Sequence, residues 1–296
     1  MSAAATKLSP ALKALISAPH ARGAALPAPS KSVSSALFSR ISSDGQEHGL
    51  GLPSWLCLST ASLVTINSPA ALCDLYDFAT EKMTDSKDKA GVAAIMRETG
   101  LKCISFSGIP RTINNLGALR ARLGDDVIAH LSTQATRRPT PANIESISSR
   151  AHTLWNAIYD PHSAKLLAKL SDSHPDLPVH ILNSHYGALL SDPSISEVPP
   201  FPSHAKIGRV LTSVVAMSCL RAQQGVGPQV TSHVFGLKKS LLEGGGAEGE
   251  ARLDGQEWLT SDEGAQWVLR SVDDIVETVA GGVSSFAGPP AAKAKL

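Results

Sequence analysis

Six side chains in this chain carry the chemistry it could do, and they are scattered through it. His233 lies on the flank of an apolar stripe formed by Val230, Val234, Leu237 and Leu241. An imidazole there could act as a general base near neutral pH; the plainer alternative is a histidine bonded to a neighbouring carbonyl. Glu98 could donate or accept a proton, or stand as a solvated carboxylate. Cys103 and Cys219 fall on stretches that read as buried helices. A thiol there could contact or attack a substrate, though lone buried cysteines commonly behave as small hydrophobes. Arg120 and Arg221 lie in or beside the apolar arcs of their helices. A guanidinium so placed needs a partner, either a carboxylate substrate held bidentately or an internal Asp or Glu. For Arg120 there is a further course, because a side chain in a last turn can reach water along its stem.

The elements that must position these groups are helical. Met96–Leu123 reads as two helices joined by a Gly108-Ile109-Pro110 corner, where a Pro in a first turn wastes no hydrogen bond. After the corner Ile109, Ile113, Leu116 and Leu123 share one face, with Arg111, Asn115 and Arg122 opposite. Further helices are expected near 8–16, 32–41, 55–66, 70–82, 89–106, 143–159, 164–171, 179–190, 207–224, 229–243 and 258–279. Ser68-Pro69 reads as an N-cap and first turn, and Ser261-Asp262-Glu263 as another helix start. No stretch shows sustained period-two alternation with β-branched residues, so the fold class is all-α.

Bulk properties exclude several functions. The 296 residues, 43% hydrophobic and 18% charged, suffice for a large core. A net charge of +1 argues against nucleic acid as a partner, since phosphate contacts need clustered Lys and Arg. No apolar run reaches the roughly 18 residues of a membrane span; Val210–Leu220 is a core helix instead. The four cysteines and ten histidines form no CxxC, zinc-finger, HExxH or HxH spacing. No metal or cofactor is expected.

Both ends resemble addresses. Residues 1–43 lack Asp and Glu but hold Lys7, Lys13, Arg22, Lys31 and Arg40, as in a mitochondrial transit peptide, although Pro10, Pro19, Pro27 and Pro29 interrupt any long helix. The terminal Ala294, Lys295 and Leu296 resemble the small-basic-Leu peroxisomal signal, which makes a peroxisomal import receptor an expected partner. The peroxisome is the favoured compartment and the mitochondrion the alternative.

Two stretches resemble one known group. Cys103–Leu119, CISFSGIPRTINNLGAL, is similar to the conserved end of carboxymuconolactone decarboxylase and AhpD-like proteins. There a helix bearing an acidic residue leads to an aromatic-x-Gly-x-Pro corner; Glu98 stands near the acidic position. Ile207–Lys239 resembles the group's other hallmark, an apolar helix, a turn and a helix carrying Ser-His, here Ser232 and His233. The likeness covers about a third of the chain, and its overall look is that of fungal AhpD-like proteins of unassigned activity. The departures are equally specific. The chain lacks CxxC, so the group's thiol-peroxidase chemistry does not carry over. Val210 follows Arg209 where the group usually has Glu. The corner precedes the Ser-His helix rather than following it, which suggests a duplicated or permuted arrangement.

The resemblance implies an AhpD-like fold in two related halves, 49–132 and 143–243, with an N-terminal extension over 1–48, a C-terminal helical region over 256–280 and a tail over 281–296. It implies acid–base chemistry by His233 and Glu98 on a small organic acid, lactone or peroxide, and a homo-oligomer; from their own positions, Arg120, Arg221 and Cys103 are expected to contact substrate. The alternative is a non-catalytic helical protein that keeps the fold for binding or oligomerisation.

Overall fold

The computed structural model describes residues 7–18, 24–241 and 252–282. The expected peroxisomal tripeptide, most of the tail, and parts of the basic N-terminal stretch lie outside them. Among the described residues the chain is helical and has no strand, so the fold is all-α. No helix among them is long and apolar enough to cross a membrane.

The helices run in order α1 (Pro10–Ile16), α2 (Lys31–Glu47), α3 (Leu52–Thr65), α4 (Pro69–Thr80), α5 (Ser86–Lys102), α6 (Ile104–Ser107), α7 (Ile109–Arg122), α8 (Asp125–Ile128), α9 (Ile144–Tyr159), α10 (Ser163–Ser173) and α11 (Asp176–His180). A π-helix, Ile181–Leu190, continues α11. Then come α12 (Gly208–Gln223), α13 (Gly227–Lys239), α14 (Gln256–Leu259) and α15 (Asp262–Ala280).

The core is built on α3 against α12. Both are buried almost all round, as helices without a polar face must be. Their hydroxyls survive burial by bonding back to their own helices: Ser62 to the Leu58 carbonyl at 2.9 Å, Thr65 to Ala61 at 2.8 Å and Ser218 to Val214 at 2.8 Å. Helices α5, α13 and α15 pack on this pair. The expected halves 49–132 and 143–243 both supply residues to this core. A smaller apolar cluster joins α9 to the π-helix through Leu154, Trp155, Ile158, Leu182, Tyr186 and Leu190. Phe106 of α6 packs against both clusters.

Helix starts follow local chemistry. The Asp85 carboxylate accepts from the Lys87 N–H at 2.8 Å at the head of α5, and the Ser261 hydroxyl accepts from Gly264 at 3.1 Å at the head of α15. Ser68 occupies the cap position of α4, but its hydroxyl donates to the Leu26 carbonyl at 3.1 Å and so ties the N-terminal segment to the domain. The expected corner is present: Gly108, at φ +84°, turns the chain between α6 and α7, and Pro110 follows in the first turn.

Helix α7 is rotated from its expected orientation. Ile109 and Ile113 are 57% and 65% exposed, while Thr112, Asn115 and Leu119 are buried. The reason is close approach to α5. Gly100 has no side chain, and a Cβ there would lie 2.7 Å from Leu116 Cδ2. The Thr112 hydroxyl then reaches the Gly100 carbonyl at 3.2 Å, Asn115 donates to the Arg111 carbonyl at 2.9 Å, and Arg111 donates to the Thr65 carbonyl. The close approach at Gly100 and the bonds of Thr112 and Asn115 to the backbone, rather than the isoleucine stripe, mark the buried face, with Asn115 Oδ1 left unpartnered there. Arg120 consequently faces solvent.

Candidate functional site

Glu98 and Lys102 stand one turn apart on α5, on the same face. Both are buried, Lys102 completely. The segment after α8 brings Arg137 across them, and the segment after the π-helix brings Asp192. The Arg137 fork clasps Glu98, Nη1 to Oε2 at 3.2 Å and Nη2 to Oε1, while its Nε donates to the Leu189 carbonyl at 3.3 Å. Lys102 Nζ lies 2.8 Å from Asp192 Oδ1 and also donates to the Leu190 carbonyl. Asp192 Oδ2 accepts from the Gly208 N–H at 2.6 Å, at the start of α12. The cluster thus holds two cations and two anions, in keeping with the rule that buried charges occur paired. Burial raises the Glu98 pKa against the pull of Arg137 and Lys102. For Asp192 burial acts in the same direction, but Lys102, the Gly208 N–H and Arg137 outweigh it and hold the carboxyl below its usual range.

Beside this cluster opens a cavity of about 520 Å³. Glu98 and Arg137 form part of its wall, with Arg97, Arg138 and His204; Leu101 and Leu116 supply apolar surface. Arg97 donates to the Ser132 carbonyl at 3.2 Å. Burial lowers the His204 pKa, and Arg137 adds to that effect, so this imidazole is neutral at pH 7. Three guanidiniums and one carboxylate line the space. It suits a small anion with an apolar body, presented to a buried carboxyl of raised proton affinity.

His233 lies elsewhere. It is at the centre of the buried face of α13, with Gly236, Leu237 and Ser240, rather than on its flank. Gly236 admits it to the core: a Cβ there would meet Ile158 Cγ2 at 2.9 Å. Its Nε2 is 3.4 Å from the Tyr159 hydroxyl, which is 2.9 Å from that of Tyr186. Its ring meets Phe106 edge-on at 5.7 Å. Burial pulls its pKa down to about 4, so at neutral pH it is uncharged and a weak base.

The other expected residues are also dispersed. Arg221 is exposed and pairs bidentately with Asp273 of α15, both bonds at 2.7 Å, the internal-acid course open to it from the sequence. Arg120 is exposed at the end of α7 and depresses the Arg97 pKa, second to burial, by like charge. Cys103 is buried beside Cys219. Of the expected site residues, Glu98 lines the cavity; His233, Arg120, Arg221 and Cys103 do not. Sequence reasoning passed over Lys102, Arg137 and Asp192. Lys102, four residues after Glu98 on an otherwise buried helix, was a usable signal. Arg137 lies in a polar segment with two Pro, and Asp192 directly before Pro193, so neither carries a local signal of burial.

The comparisons are sparse. No family model and no solved structure matches the chain. The chain is similar to a Saccharomyces cerevisiae protein called Peroxisomal protein 2, with 29% identity over 164 residues, covering 49% of this chain and 54% of that protein. The match therefore spans about half the length of this relative.

Proposed function

We propose that this chain is a peroxisomal, AhpD-like helical protein that takes a small organic acid into the cavity beside Glu98 and acts on it by acid–base chemistry without a CxxC dithiol. The observation that carries this reading is a buried carboxyl at the wall of a cavity lined by three arginines. Arg97 and Arg138 would hold the ligand carboxylate. Arg137 would keep Glu98 oriented, and Glu98 would hold or release the proton. Its raised proton affinity favours that role. His233, neutral and buried against Tyr159, is left to fix the aromatic packing behind α6. The compartment rests on the terminal Ala-Lys-Leu and on the name of the yeast relative.

Titration calorimetry with a panel of small carboxylates and lactones tests the site. A carboxylate is expected to bind, and the Arg97→Gln/Arg138→Gln variant to lose about tenfold or more in affinity, since hydrogen bonds to charged groups contribute about 1.5–3 kcal/mol each. Absence of carboxylate binding up to millimolar concentration would sink the reading. Fusing the last ten residues to a fluorescent reporter tests the compartment: punctate peroxisomal signal is expected, and diffuse cytosolic signal counts against it.

A second reading keeps the fold and drops the chemistry. The charge balance of Glu98, Arg137, Lys102 and Asp192 favours it, because a fully paired cluster has a structural use in tying α5 to two long segments. In that case Glu98→Gln would alter stability and leave ligand binding at zero.

A further inference from the structure

Cys103 and Cys219 come from distant parts of the sequence and meet in the core. Cys103 closes α5 at its junction with α6, and Cys219 lies in the last turns of α12. Their Sγ atoms are 3.6 Å apart, across 116 residues of sequence, and both side chains are fully buried. No CxxC motif signals this pair; the fold alone creates it. We propose that Cys103 and Cys219 are a redox site, oxidised by hydrogen peroxide to an intramolecular disulfide that locks α12 to the α5–α6 junction.

The surroundings suit one sulfur as the nucleophile and the other as the resolving thiol. The Thr65 and Ser107 hydroxyls are 2.7 Å from each other. Burial opposes ionisation of Cys219, but hydrogen bonds involving Cys103, Thr65 and Ser107 outweigh it and lower its pKa. Burial and the neighbouring Cys219 raise that of Cys103. Thiolate character decides which thiol attacks. Cys219 gives up its proton, its thiolate attacks one peroxide oxygen, the O–O bond breaks, the departing hydroxide takes up that proton as water, and Cys219 becomes a sulfenic acid. The Cys103 sulfur attacks that sulfenic sulfur, its proton leaves with the hydroxyl as water, and the S–S bond forms. Two thiols and one peroxide give one disulfide and two waters. The sulfurs need approach only from 3.6 Å to the roughly 2.05 Å of the bond. Cys57 is near enough to act on Cys103 by charge, but its thiol is engaged by the Thr99 hydroxyl at 3.2 Å, and burial pushes its pKa up to about 12. Half-buried Cys73 serves as an internal control for exposed-thiol oxidation.

The test treats the folded, full-length protein with hydrogen peroxide, blocks free thiols, and maps tryptic peptides without reduction. Trypsin separates CISFSGIPR, which carries Cys103, from VLTSVVAMSCLR, which carries Cys219, and leaves Cys57 and Cys73 together on a third peptide. The expected product links the first two peptides with loss of two hydrogens. Of the four thiols titratable after denaturation, two are lost to this cross-link, in addition to any loss at Cys73, and a dithiol reductant restores those two. Cys103→Ser and Cys219→Ser each abolish the cross-link. The wild-type map decides the matter even where a variant folds poorly. Recovery of Cys103 and Cys219 as free thiols after Cys73 has been oxidised overturns the proposal, as does a cross-link that forms only in denaturant.

Discussion

Lys102→Met removes one cation from the buried cluster and leaves its partner in place. Lys102 is fully buried, 2.8 Å from Asp192 Oδ1, and also bonds the Leu190 carbonyl. After the change Asp192 keeps the Gly208 N–H at 2.6 Å and a more distant Arg137 nitrogen at 3.5 Å. Breaking a buried pair by removing one partner costs about 3–5 kcal/mol. With a urea m-value of about 3 kcal/mol per M, the midpoint should fall by about 1–1.7 M. The pH dependence follows from Asp192. Its folded pKa is depressed, chiefly by Lys102 acting against burial. Its contribution is therefore fully present above the unfolded carboxylate value of about 4 and is lost as pH falls through the depressed value. Without Lys102 that depression shrinks, so the gap between wild type and variant should be widest at pH 7 and narrow below about pH 4. Lys102→Met combined with Asp192→Asn should be more stable than the sum of the single changes by about 1–2 kcal/mol, because the stranded charge is gone. Urea denaturation of all four proteins at pH 7 and at about pH 3 supplies the measurement. A Lys102→Met loss under about 1 kcal/mol, or strict additivity in the double variant, refutes the view that this is a coupled buried cluster.

His233, held neutral by burial with a pKa of about 4, binds its proton more readily when the chain unfolds, where the pKa is about 6.5. Its contribution to stability is complete above pH 6.5 and drains away by about 3 kcal/mol toward pH 4; His233→Gln should flatten the urea midpoint over that window, and an unchanged slope would contradict the assigned burial effect. Gly117 lies in the interior of α7, and a Cβ added there would meet nothing within 4 Å, so Gly117→Ala should raise stability by up to about 1 kcal/mol, read as a higher melting temperature. Gly264→Ala should do the reverse and lower the melting temperature, since its Cβ would sit 2.6 Å from Leu259 Cα and closer still to the Trp258 carbonyl; equal melting temperatures for the two variants would rule out the close approach of α14 and α15.

The helical class was legible because apolar periodicity and the Pro, Gly and Ser punctuation act locally. The Gly108 corner, the burial of α12 and the head of α15 follow from neighbours within a few residues. The rotation of α7 was not legible, because it depends on Gly100 accepting Leu116 and on the Thr112 hydroxyl finding the Gly100 carbonyl. A hydrophobic stripe predicts burial only when nothing polar competes for the inner face, and here Thr112 and Asn115 do. The site shows the same limit. Glu98 is singled out by its likeness to the acidic position before the corner, but its partner Arg137 arrives from a polar segment with two Pro, and Asp192 from beyond the π-helix. Such pairs are set by tertiary geometry, so the burial of Glu98, and hence its raised proton affinity, could not be read from its neighbours in sequence.

The four-residue helix α6 ties together side chains of four other helical elements. Helical geometry advances about 100° per residue, so Cys103 and Ser107, four apart, share one side while Ser105 and Phe106 point elsewhere. Cys103 meets Cys219 of α12; Ser105 bonds His185 of the π-helix at 3.0 Å; Phe106 meets His233 of α13; Ser107 bonds Thr65 of α3 at 2.7 Å. A helix this short cannot be stable alone, so its position is imposed by these partners, and it in turn fixes theirs. The positive φ of Gly108 then turns the chain away from this crowded junction and lays α7 back along α5, which puts Leu116 against Gly100 and into the wall of the cavity beside Glu98. The thiol pair and the acid cavity are thus on two sides of one corner. A disulfide at Cys103 would act on the end of the helix that carries Glu98 and Lys102, which makes the oxidation state of the pair a variable to hold fixed whenever ligand binding to the cavity is measured.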